Sequence, residues 1–204
     1  MNSYNEYRYY GFTLKIGMDW EQPVPNPRNW DNLGIIFTKR RTGINEAERA
    51  VDDFDSIEDA EKWVYQNSAI CLPLYKMEHG NTWFNTSGFG MSDPTGFDWG
   101  QIGWYYTTAD RIKEEFQVKR ITKRLKEKVA RLMEREIRQF SNYASGNILE
   151  GLIMDGDECL HQCFYYNDES VEEILEDLKR EVDRFGGVQI PFEFYPKLEV
   201  VKEL

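Results

Sequence analysis

Cys159, His161 and Cys163 form a Cys-x-His-x-Cys run, and thiolate with imidazole is a ligand set that zinc prefers. In a strand, alternate residues share a face, so the three would be splayed along the pleat, and no fourth ligand stands at a familiar spacing. The segment reads instead as a buried strand with two small apolar thiols. Cys71, His79 and either Asp93 or Asp98 supply the residue types of a nucleophile, a base and an orienting acid. Cys71, however, sits in an apolar run without a small-residue elbow to expose it, the setting of an inert core thiol. Asp93, Asp98 and Glu78 could offer oxygen ligands to a divalent cation, although short Asp/Gly segments are also ordinary turn formers. Gly88-x-Gly90 follows a strand but opens no helix, so a phosphate-cradling loop is not expected. These residues give no catalytic centre, metal site or cofactor to expect.

Carboxylates are a larger resource. The 204 residues hold 36 Asp and Glu against 25 Lys and Arg, a net charge of -11. Asp155, Asp157, Glu158, Glu169, Glu172, Glu173, Glu176 and Asp177 crowd the carboxy-terminal third. Regularly spaced carboxylates on a helix can imitate duplex phosphates and occupy a basic groove, or they can simply form a solvated face. The net charge disfavours nucleic acid and anionic membrane surfaces, which need a positive field, and suits a basic partner. One segment runs the other way. Between Lys119 and Arg138 stand nine basic residues (Lys119, Arg120, Lys123, Arg124, Lys126, Lys128, Arg131, Arg135, Arg138) against Glu127, Glu134 and Glu136, a local charge of +6 that leaves -17 elsewhere. Such a helix could meet an anionic surface, or pack its apolar side on a sheet while its charges compensate acidic neighbours. The overall charge favours the second reading, so direct nucleic-acid contact is not expected.

The elements that must position these groups follow from periodicity and capping. Tyr7 to Ile16 alternates as a strand, Glu21 to Asn32 is a Pro- and Asn-rich loop, and Leu33 to Thr38 is a second strand. Ser56 with Asp59 caps a helix ending near Asn67. Ala69 to Met77 and Thr82 to Thr86 form a hairpin about His79-Gly80-Asn81; a long Gly-rich loop from Ser87 to Gly100 precedes a strand from Ile102 to Thr107. Thr107 with Asp110 caps a short helix to about Phe116. A longer helix runs through Val118, Ile121, Leu125, Val129, Leu132, Ile137 and Phe140 and stops at Gly146. Asn147 to Met154 and Cys159 to Tyr166 pair about an Asp-Gly turn, Ser170 with Glu173 caps a last helix, and Phe192 to Val201 supplies an edge strand. Six Trp, 12 Tyr and 12 Phe supply enough large rings for a packed core and argue against disorder. The expected architecture is α+β: an antiparallel sheet built from hairpins, packed with about four helices, in a single domain spanning 1–204. The first ten residues are polar and aromatic, no apolar run is long enough to span a bilayer, and three cysteines make no disulfide framework, all of which fits a cytoplasmic protein.

Four segments form a set: Asn26-Pro27-Arg28-Asn29-Trp30-Asp31-Asn32-Leu33-Gly34; Leu72-Pro73-Leu74-Tyr75; His79-Gly80 with Thr82; and Asp98-Trp99-Gly100-Gln101-Ile102-Gly103-Trp104-Tyr105. Together they resemble a widespread family of small accessory proteins of bacteriophages, plasmids and other mobile elements, which share NPR-x-WDNLG, LPLY before HSG, and D-x-GQ-V/I-G segments. The likeness spans about Asn26 to Asp157. It departs at Lys39-Arg40-Arg41-Thr42-Gly43, where relatives often carry a His and LGD, and at Ser92 to Gly100, where they often carry CPWDSG. The resemblance implies a nonenzymatic accessory protein in the cytoplasm of a bacterial host, of the kind that blunts restriction or CRISPR defences. Its partner would be a host protein with a basic surface, such as a nucleic-acid-handling defence nuclease, blocked stoichiometrically by the acidic residues above. The same motifs support a rival expectation, a small-ligand or hydrolytic pocket lined by Trp30, Asp31, Asn32, His79, Asp98 and Gln101.

Overall fold

A computed structural model describes residues 4–18, 23–39, 49–50, 53–186 and 200–202. In chain order the elements are β1 (Tyr4–Tyr9), β2 (Phe12–Gly17), a 3₁₀ turn (Pro27–Asn29), β3 (Ile35–Thr38), β4 (Arg49–Ala50), α1 (Ile57–Asn67), β5 (Ile70–His79), β6 (Asn81–Asn85) and β7 (Trp99–Thr107). Then follow α2 (Ala109–Glu115), α3 (Lys123–Ser145), β8 (Leu149–Asp155), β9 (Glu158–Tyr165), α4 (Val171–Gly186) and β10 (Val200–Lys202). The class is α+β, with hairpin-built antiparallel strands and four α-helices among the described residues. The strands divide between two sheets, β10-β1-β2-β8-β9 and β4-β3-β7-β5-β6, and β3 with β4 is a parallel pair. Contacts separate two compact units: Met1–Val24 with Asn147–Leu204, and Pro25–Gly146.

In the unit formed from both ends of the chain, β2 pairs antiparallel with β8, so segments far apart in sequence close one sheet. Tyr9, Leu14, Ile16 and Ile153 pack with Ile174, Leu175, Leu178 and Val182, the apolar stripe of α4. Ser170 and Glu173 make the reciprocal capping box that starts α4: Glu173 N donates to Ser170 Oγ at 3.2 Å and Ser170 N to Glu173 Oε2 at 2.9 Å. Tyr7 to Ile16 is not one strand. It turns at Tyr10-Gly11, both with positive φ (49° and 86°), the conformation of a two-residue hairpin turn. The apolar positions shift from odd (Tyr7, Tyr9) to even (Phe12, Leu14, Ile16) across that turn, which keeps all of them facing the same core.

The continuous unit is a sheet covered on both faces. Ile36, Leu72, Leu74 and Tyr105 pack toward Val129, Met133, Ile137 and Phe140 of α3, while Phe37, Cys71, Trp104 and Tyr106 point the other way, to Ala60, Trp63 and Val64 of α1. Two helix boundaries differ from expectation by short distances. The N-cap of α2 is Thr108, whose Oγ1 accepts from Arg111 N, while Thr107 is buried at the end of β7. The N-cap of α3 is Thr122, so Val118 and Ile121 precede the helix. Gly146 ends α3 in the left-handed conformation, as its type suggests. The expected edge strand is met by β10, which pairs with β1; residues 192–199 lie outside the described residues.

Candidate functional site

Five of the eight carboxylates singled out in the sequence border one open concavity of about 670 Å³: Glu169, Glu172, Glu173, Glu176 and Asp177, together with Tyr165 and Arg180. From Glu172 to Asp177 they fall on one side of α4, one carboxylate per about 2.5 Å of helix axis, against about 1.7 Å per charge on duplex DNA. Their own helix partly neutralises them. Lys179 Nζ lies 2.5 Å from Glu176 Oε1, and Arg180 Nη2 lies 3.0 Å from Asp177 Oδ1. Asp177 also accepts from Tyr165 OH at 3.0 Å, Glu173 is held by the capping box, and Glu169 accepts from Asn167. Asp155, Asp157 and Glu158 sit elsewhere, at the β8–β9 turn, about 23 Å along β9 from Tyr165. All the net charge belongs to this unit: residues 1–24 and 147–204 hold 18 acidic and 7 basic side chains, whereas residues 25–146 hold 18 of each.

The motif segments of the other unit are joined mainly by contacts that hold the fold. Glu136, buried on α3, accepts from Leu33 N through Oε1 (2.8 Å), and from Gly34 N (3.2 Å) and Tyr105 OH (2.6 Å) through Oε2. Arg28 Nη1 donates to the same Tyr105 hydroxyl at 2.7 Å, and its guanidinium lies 5.2 Å from the Tyr105 ring centroid. Burial raises the Tyr105 hydroxyl well above its ordinary pKa, so it stays protonated and able to donate. Asn26 Oδ1 caps Arg28 N, and Asn32 Nδ2 donates to the carbonyls of Pro27 and Trp30. A Cβ at Gly34 would stand 2.2 Å from the Tyr105 ring, and one at Gly103 would stand 2.0 Å from the Phe37 carbonyl oxygen across the β3–β7 ladder.

Of the six residues of the expected pocket, Asp31 and Asn32 share a groove and His79 meets Asp98. Trp30 and Asp31 are exposed on the 27–34 loop; Asp31 and Asn32 border a groove of about 480 Å³ whose other walls are Leu33, Arg111, Glu114, Glu115 and Gln117. His79 and Asp98 do meet, with Nδ1 2.8 Å from Oδ2, but the imidazole is 81% exposed. Gln101 is engaged by Lys39 Nζ (3.0 Å) and by the Gly103 carbonyl (3.0 Å). Cys71 is eight residues from His79 along β5, about 26 Å, so this strand holds thiol and imidazole apart. Its thiol is pushed up to about 11 by burial and then by the charge of Glu61. The oxygens considered for a cation have separate partners: Asp93 accepts from Thr95 and from Asp98 N, which together lower its pKa, Asp98 pairs with His79, and Glu78 lies 2.6 Å from Lys76. Cys163 Sγ donates toward Tyr165 OH at 3.1 Å, while Cys159 is exposed. Among the described residues no three His, Cys, Asp or Glu side chains gather as metal ligands.

The basic segment packs its apolar side on the sheet as expected, but its charges do not pair with described acidic neighbours. Each of its nine Lys and Arg side chains is exposed, and none has an ion-pair partner among the described residues. Lys128 Nζ lies over the Phe116 ring, 5.0 Å from its centroid. Among the described residues no helix is long and apolar enough to cross a membrane. The chain matches no protein-family model, no curated protein and no solved structure.

Proposed function

We propose that this chain is a nonenzymatic binding protein whose acidic α4 face docks stoichiometrically on a basic protein surface. The observation that carries the reading is the segregation of charge: the whole net charge of -11 falls within one unit, where five carboxylates border a single concavity. A partner that normally holds nucleic acid has a groove of the opposite sign, and blocking it would inhibit it. With the resemblance to mobile-element accessory proteins, this reading names the partner class as a host defence nuclease, of the restriction or CRISPR type.

The test uses substitutions that spare the fold. Glu173 caps α4 and Asp177 accepts from Tyr165, so reversing either mixes stability with binding. Glu172→Lys with Glu176→Lys changes two exposed side chains, breaking the surface contact with Lys179 and removing one carboxylate from the first turn of α4. Surface pairs of this kind contribute little to stability. Tagged wild-type chain incubated with nuclease-treated lysate of a defence-bearing bacterium is expected to retain one basic nuclease in fixed ratio and inhibit it, and the double variant to do neither while still unfolding cooperatively within a few degrees of wild type. Equal retention and inhibition by the variant would remove the acidic-face mechanism.

A further inference from the structure

We infer that the exposed ridge of α3 binds the phosphate backbone of nucleic acid, a second surface separate from the acidic face. At 100° per residue, Arg124, Lys128, Arg131, Arg135 and Arg138 fall within an arc of about 80°, on the side opposite the buried Val129, Met133, Ile137 and Phe140. From 124 to 138 every position in that arc is Arg or Lys, while Glu127 and Glu134 lie outside it. The row is about 21 Å long, a length over which one strand of a duplex presents about six phosphates. Lys119 and Arg120, both exposed, lie a few residues before the helix begins. Four of the five ridge residues are Arg, whose planar fork suits phosphate oxygens.

Two features select nucleic acid over a second copy of the chain. On α4 the acidic stretch from Glu172 to Asp177 covers only about 7.5 Å of helix axis, and half of it is already paired with Lys179 and Arg180, so it cannot match a 21 Å row. The charge argument against nucleic acid also averages two unlike units. The -11 belongs entirely to the other unit, and the ridge stands in a unit of net charge zero. Phosphate contacts of this sort carry no base readout, so binding is sequence-independent and limited by salt.

The experiment titrates the full chain into fluorescein-labelled duplex DNA and single-stranded RNA, each of about 20 nucleotides, read by anisotropy from about 25 to 200 mM salt. Five phosphate contacts predict a log–log salt slope of about -4.5 on duplex and about -3.5 on single strands. On duplex this is a loss of about 500-fold between 50 and 200 mM salt. Arg131→Gln with Arg135→Gln, two exposed positions, should weaken duplex binding about 60-fold at 100 mM salt and flatten the slope by about 1.8. Three outcomes would overturn the inference: no anisotropy change on either probe at the lowest salt, binding that the double variant leaves unaltered, or a salt-sensitive dimer in sedimentation that is lost in both Arg131→Gln/Arg135→Gln and Glu172→Lys.

Discussion

Replacing Glu136 by Gln changes one oxygen to an amide nitrogen at the point where the 27–34 loop, β7 and α3 are tied together. Three donors point at this carboxyl group: Leu33 N at one oxygen, and Gly34 N and Tyr105 OH at the other. An amide offers an acceptor on one side only. If its oxygen faces Gly34 and Tyr105, its NH₂ confronts Leu33 N–H; if it is flipped, the Tyr105 hydroxyl can turn to accept, but Gly34 N–H is orphaned. Either arrangement leaves one buried backbone donor without an acceptor, at a cost of about 1–3 kcal/mol. Taking about 2 kcal/mol, the melting temperature of a chain this size falls by about 4–8 °C. The assay is thermal unfolding by circular dichroism, with amide exchange at Leu33 and Gly34 as the local readout; one of the two should exchange markedly faster. Tyr105→Phe in the Glu136→Gln background should cost less than in wild type, because the two side chains share one bond. A Glu136→Gln variant within a degree of wild type, with unchanged exchange at both amides, would refute this account of the loop.

Gly103→Ala sets a methyl group 2.0 Å from the Phe37 carbonyl oxygen and should destabilise the fold by about 1–3 kcal/mol, whereas Gly100→Ala, with nothing within 4 Å of the added carbon, should be close to neutral; denaturant melts compare the two. Iodoacetamide at pH 8, followed by peptide mapping, should label exposed Cys159 first, with Cys163 and Cys71 protected because burial raises both thiols. Since the folded pKa of Cys71 is raised, its protonated form is favoured by folding. That contribution is complete below about pH 9 and is lost as pH rises toward about 11, and Cys71→Ala should flatten this part of the stability profile.

Local signals located the elements well where capping and periodicity agree. Ser56, Ser170 and Gly146 mark helix ends by side-chain or backbone chemistry that acts within three residues, and both predicted hairpins formed where Gly80 and Gly156 provide positive φ. The β1–β2 hairpin was concealed because Tyr10 occupies a conformation uncommon for an aromatic residue, and only the shift in apolar parity betrays it. The pairing of β2 with β8 could not be read locally, since it joins residues whose separation exceeds a hundred positions and no composition break announces it. At the candidate sites, spacing on one element was legible: the carboxylates of α4 do share a concavity. Convergence between elements was legible only for His79 with Asp98, and Glu136 was hidden within a basic run whose sign drew attention to its neighbours.

The same distinction bears on where function can reside. Arg28, Asn32, Gly34, Gly103 and Tyr105, five residues of the motif segments, are spent on bonds or close approaches within one unit. Residues engaged in such contacts hold the fold and leave the partner open. The groups free to meet a partner are the exposed charges, and these are largely sorted by sign: carboxylates on α4, where Lys179 and Arg180 only partly offset them, and a ridge on α3 in which five Arg and Lys stand in line from 124 to 138 with the exposed Glu127 and Glu134 at its edge. A solvated surface with no partner gains nothing from leaving like charges adjacent along a helix, where they repel and destabilise it by a few tenths of a kcal/mol per pair. Glu127 and Glu134 stand beside Arg124, Lys128, Arg131, Arg135 and Arg138 and offset part of that repulsion, but neither closes an ion pair with them, so five cations in line over four turns remain open to an external anion.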